Sequence, residues 1–200
     1  MRPTTLVGLV LVTLLAGLPV LAQDTAAALK PAKDFSTIAD PAERSRALFA
    51  EMGKVIESPR CQNCHPSGVR PSQGDDMHPH LPLVVRGSDD QGALAMRCAT
   101  CHQAANFQPA GVPGAPKWHV APAGMAWQDR SLGQICEQIK DPARNGQRSL
   151  KQIHDHMAFD PLVGWGWHPG GTRTPAPGTQ KEFGELVAAW IQAGAACPAP

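Results

Sequence analysis

Tyrosine is absent from this 200-residue chain, and five phenylalanines with five tryptophans bring the aromatic share to only 5%. That makes a thin core for the length, although 42% hydrophobic residues is not the composition of a disordered chain. Something other than aromatic side chains is needed to fill the middle. An excess of charge of one sign is also missing. Outside Arg2, 17 Lys plus Arg face 17 Asp plus Glu, which leaves no electrostatic footprint for nucleic acid.

Long apolar runs are lacking except at the start. Residues 1–22, "MRPTTLVGLVLVTLLAGLPVLA", open on Arg2, run apolar from Leu6 to Leu15 and end on Val20-Leu21-Ala22, a small-residue close that suits signal peptidase. A secretory signal peptide over 1–22 and a periplasmic location are expected. An uncleaved anchor is the competing reading, since the run with its flanks approaches the roughly 18 residues a spanning helix needs. Gly17 and Pro19 break the run just before the cleavage site and favour removal. No second apolar segment follows, so no membrane span is expected after cleavage.

What is abundant is proline, 20 residues, and glycine, 19. Residues 23–39 show little periodicity and read as a flexible leader, and residues 40–200 as one domain, a length that one core can serve. Asp40 as N-cap, Pro41 and Glu43 open a helix whose apolar residues Ala47, Leu48, Met52, Val55 and Ile56 recur at helical spacing up to Ser58-Pro59. From 66 to 128 Pro and Gly are frequent, and only "GALAMRCATCH" looks helical. Further helices are expected from Ser131 to Asp141, from Ser149 through "LKQIHDHMAF", and after the Thr179/Glu182 capping box, where Phe183, Leu186, Val187, Trp190 and Ile191 mark one apolar face. The fold class expected is mainly α with long ordered loops.

Cysteine is sparse, six in all, yet four of the six fall into one pattern. Cys61-Gln62-Asn63-Cys64-His65 and Cys98-Ala99-Thr100-Cys101-His102 both match C-x-x-C-H, the attachment motif for c-type haem. Two thiols three positions apart add to the two vinyl groups of one porphyrin, and the adjacent imidazole sits under the iron. At this chain's own Cys and His frequencies about 0.007 such matches are expected by chance. Zinc held by both pairs, or a disulfide within each pair, are the competing readings. The 33 residues between the pairs exceed the roughly 15 to 20 of the usual zinc pattern, and zinc does not explain a histidine at the same offset twice. Two covalently attached c-type haems are therefore expected. Their apolar macrocycles would supply the missing core.

Each iron then needs a second axial ligand beyond His65 or His102, usually Met or His. His78, His80, Met96, His119, Met125, His154, His156, Met157 and His168 compete for the role. His80 and Met125, in the stiff Pro-rich stretches "HPHLPLVVRG" and "HVAPAGMAW", come first, and His156 third because a helix positions a ligand well. For each of the three, a core methionine or an ordinary polar histidine is the competing reading. Trp118, Trp127, Trp165 and Trp167 read as packing against porphyrin rather than as redox relays. Arg70, Arg86, Arg97 and Arg173 suit haem propionates or simply the surface. Cys136 and Cys197, in an oxidising compartment, pair as a disulfide or remain two free buried thiols.

These residues resemble dihaem c-type cytochromes. The blocks "NCHPSGVRPSQGDD", "GVPGAPKWHVAPAGMAW", "ICEQIKDPARNG" and "DPLVGWGWHPGG" are similar to a family of small exported bacterial proteins labelled isoquinoline 1-oxidoreductase subunit. The resemblance covers nearly the whole mature chain. It implies a periplasmic cytochrome taking electrons from a redox partner, a molybdenum and iron-sulfur hydroxylase, while the chain itself hydroxylates nothing. The first and last helices resemble those that cross in single-haem cytochrome c domains. Only 37 positions separate Cys61 from Cys98, too few for two such domains, so a single dihaem domain is expected. A dihaem enzyme with one open iron, acting on peroxide or a sulfur compound, is the alternative function.

Overall fold

The computed structural model describes residues 28–200, so the expected signal peptide and the first part of the leader lie outside the described residues. Among the described residues seven α-helices carry most of the regular structure: α1 (Pro41–Ile56), α2 (Pro59–Gln62), α3 (Cys98–Cys101), α4 (Leu132–Lys140), α5 (Leu150–Phe159), α6 (Pro161–Gly164) and α7 (Gln180–Gln192). Two antiparallel pairs of two-residue strands, β1 (Ser72–Gln73) with β2 (His78–Pro79) and β3 (Gly92–Ala93) with β4 (Met96–Arg97), interrupt the loops between α2 and α3.

The long helices begin where their caps dictate. The Asp40 carboxylate accepts from Glu43 N at 2.7 Å, and Ser131 and Ser149 each form reciprocal capping boxes with Gln134 and Gln152. Such caps satisfy backbone donors that have no partner within the helix. Thr179 likewise accepts from Glu182 N at 3.2 Å.

Helices α1, α4, α5 and α7 enclose the core, with Leu48, Phe49, Met52, Val55 and Ile56 of α1 fully buried. Phe49 meets Trp190 of α7 with ring centroids 5.1 Å apart, and the buried Ser45 hydroxyl bridges Trp190 O and Ala196 N. The first and last helices thus pack together. At the crossing of α5 and α7, a Cβ on Gly184 would stand 2.6 Å from the Ala158 Cβ, so only glycine allows the approach. A disulfide between Cys136 and Cys197 ties the segment after α7 to α4. Among the described residues no helix is long and apolar enough to cross a membrane.

Two expectations change. The stretch "GALAMRCATCH" is not one helix: β3 and β4 form a tight hairpin, and only the single turn α3 follows. Gly92 has φ +93°, which no continuing helix adopts, and a bidentate Arg97–Asp89 pair, at 2.9 and 2.6 Å, braces the hairpin. The helix-like spacing was empty of burial, since Leu94 is 93% exposed and Met96 is exposed as well. The leader, from residue 28 onward, lies against the core: Leu29 and Phe35 are buried, and Ala32–Phe35 forms a turn of 3-10 helix.

Candidate functional site

α1 delivers the chain to α2, whose one turn carries Cys61, with Cys64 N bonding back to Cys61 O at 3.1 Å. A single helical turn sets residues three apart on one side, so both thiols face the same space. That space is a cavity of about 570 Å³, within the roughly 300–1,000 Å³ of cofactor-sized sites. Cys61, Cys64 and His65 line it, and Ile153, His156 and Met157 of α5 line it too.

Burial pushes the Cys61 thiol up to about 12 and Cys64 up to about 11. A zinc site needs thiolates, which these surroundings oppose, whereas an uncharged thioether is at no disadvantage there. Among the described residues no three or more His, Cys, Asp or Glu side chains gather as one set of metal ligands.

His65 is held from behind. Its Nδ1 donates to the Met125 carbonyl at 2.7 Å, and the Trp127 indole stacks on its ring at 3.5 Å and 10°. The loop supplying both partners runs along the motif, bonding Ala121 N to Cys64 O and Trp127 N to His65 O, each at 2.9 Å. Burial pushes His65 down to about 3, so the ring is neutral, with Nδ1–H committed to a carbonyl and the Nε2 lone pair available.

The second motif repeats this chemistry in a more open setting. α3 carries Cys98, which is half-buried, and Cys101, which is exposed. His102 Nδ1 donates to the Pro113 carbonyl at 2.7 Å, and Trp118 stacks on the ring at 4.6 Å and 8°. Burial lowers His102 as well. Trp165 joins the two places: it lines the cavity and meets Trp118 edge-on at 4.9 Å.

The three further ligand candidates separate. His80 stands beside His102, ring centroids 5.9 Å apart. His156 lines the cavity on α5 with Nδ1 bonded to Asp160 Oδ2 at 3.1 Å. Met125 is buried against His65, and the group it gives to that ring is its backbone carbonyl. The four arginines singled out by sequence all have protein partners. Arg86 holds Asp90 and the Ala121 carbonyl, Arg97 holds Asp89, Arg70 holds the His80 carbonyl and Arg173 the Gly111 carbonyl.

Sequence reasoning missed Arg60. It is buried, paired with Asp75, and lines the cavity next to Cys61. Among the described residues five buried side-chain polar atoms lack partners, and two of them, Arg60 Nε and Trp127 Nε1, belong to cavity-lining residues. Two unpartnered donors beside two buried thiols and a neutral imidazole fit a haem, whose carboxylates accept hydrogen bonds and whose ring is apolar. Adjacency to Cys61 was the only sign of Arg60 in the sequence.

No family model matches this chain, and no curated protein or solved structure matches it.

Proposed function

We propose that this chain is a periplasmic dihaem c-type cytochrome, folded as one domain, that passes single electrons from an oxidoreductase to a later acceptor. The observation that carries the reading is the doubled arrangement at His65 and His102. Each imidazole follows a C-x-x-C pair, bonds a backbone carbonyl through Nδ1 at 2.7 Å and stacks on an indole, leaving Nε2 for iron.

When bound, haem supplies a one-electron iron couple; the chain supplies position and surroundings. Cys61 and Cys64 would hold one group and Cys98 and Cys101 the other, each through a thioether formed by addition of S–H across a vinyl C=C, which needs no oxidant. Arg60 and Trp127, each with a buried donor that has no protein partner, would be the residues nearest to hand for the first group's carboxylates. The exposed apolar side chains Leu81, Leu83, Val85, Leu94, Met96 and Phe107 flank the second motif in sequence, and a porphyrin there would have apolar surface to cover. The electron donor, on the strength of the sequence blocks quoted above, is a molybdenum and iron-sulfur hydroxylase.

Potentiometric titration of the purified protein, followed by absorbance, tests this function. Two one-electron steps with low-spin ferric spectra and no carbon monoxide binding are expected. A high-spin centre that binds carbon monoxide and turns over peroxide would contradict the carrier role and point to a dihaem enzyme.

A further inference from the structure

The loop carrying His80 is built to present one atom. After β2, His80 N bonds Pro71 O at 3.0 Å, and the His80 carbonyl accepts from Arg70 Nε at 3.2 Å and Nη2 at 2.6 Å. Its ring Nδ1 bonds Pro82 O at 3.0 Å. Every hydrogen-bonding group of the residue except Nε2 is engaged. His102 is in the same state, with Nδ1 on Pro113 O and Nε2 without a protein partner.

The two rings, from loops 22 positions apart in sequence, stand with centroids 5.9 Å apart and planes at 69°. Two imidazoles facing one another through a single metal, with metal–nitrogen bonds of about 2 Å, have centroids about 6 Å apart. Both residues are only partly buried, and neither Nε2 has a partner among the described residues. The neighbouring His78 shows the contrast: its Nδ1 bonds Asp76 at 2.6 Å and its Nε2 is 3.1 Å from Gln73 Nε2, so neither nitrogen is left for a metal.

We infer that His80 is the distal ligand of the second iron, making the Cys98–Cys101 centre bis-histidine with nearly perpendicular imidazoles. This rests on the dihaem reading and adds to it the identity of the ligand and the orientation of the rings. Perpendicular axial planes leave two iron d orbitals nearly equal in energy. The ferric centre then gives a strongly anisotropic low-spin resonance, where parallel planes give an ordinary rhombic one.

The holoprotein, exported with its haems attached, is examined by electron paramagnetic resonance together with haem quantitation. Wild type is expected to show one strongly anisotropic low-spin signal. His80→Ala is expected to keep two haems per chain, lose that signal, turn one haem high-spin and recover low-spin character on adding imidazole. His80→Met is expected to stay low-spin with a raised potential, and His78→Ala to match wild type. A His80→Ala protein with two haems and an unchanged low-spin spectrum would overturn the assignment. So would a wild type without the anisotropic signal, a result that stands even if the variants fail to accumulate. A wild type carrying no haem would instead remove the dihaem reading itself.

Discussion

His65 is buried, and that burial is the main force on its protonation, with His156, Arg86 and His119 pushing the same way and the hydrogen bond to the Met125 carbonyl opposing them. An imidazole that takes a proton near pH 6.5 in an unfolded chain is pushed down to about 3 here, and burial lowers His102 and His156 in the same direction. Between those pH values the unfolded chain binds a proton at His65 that the folded chain refuses. Stability is therefore full above about pH 6.5 and declines as pH falls toward 3. Iron on Nε2, under the proposed haem reading, would shift the balance further the same way. The urea midpoint of the holoprotein is expected to drop between pH 7 and 5, above the range where exposed carboxylates titrate. A midpoint constant over that range would contradict the neutral, buried imidazole. At this scale the sequence spacing made the motif residues stand out, and the structure places Cys61, Cys64 and His65 on one cavity. The partners behind them were not legible: a carbonyl such as that of Met125 or Pro113 accepts a bond whatever side chain it bears, and leaves no mark in the sequence.

Among the elements, capped amphipathic helices were readable and hairpins were not. Asp40, Ser131, Ser149 and Thr179 each begin a helix where the cap and the apolar period agree. The segment Gly92–Arg97 has an apolar period but nothing to bury it against, and a glycine at positive φ decides for a turn. Leu29 and Phe35 pack on the core without any local periodicity, since two anchors suffice to dock a short stretch. The Cys136–Cys197 bond fixes the end of α7 to α4 across 61 positions. By loop-closure entropy its removal costs roughly 4 kcal/mol. A Cys136→Ser/Cys197→Ser double variant should lose about that much in chemical denaturation while keeping both haems. An unchanged denaturation curve would show that α4 and α7 hold without the bond.

At the scale of the whole molecule, helices α1, α4, α5 and α7 pack round one core, and α5 joins loops rich in Pro and Gly in lining the cavity at the first motif. The first motif opens into a partly open, mainly apolar cavity, and the second lies near solvent with Cys101 exposed. Trp165 and Trp118 make a continuous aromatic contact from the cavity to His102. That layout suits a carrier with one sheltered centre and one at the surface for exchange with a partner protein. It also matches the scarcity of aromatic side chains, since a cavity of cofactor size and not an aromatic cluster lies beside Cys61 and Cys64. The most direct test is the intact mass of the exported protein under denaturing conditions, where only covalent bonds persist. A mass above that of the processed polypeptide by two haem groups, falling by one in Cys61→Ala/Cys64→Ala and by one in Cys98→Ala/Cys101→Ala, is predicted. A mass equal to the polypeptide alone would contradict the account.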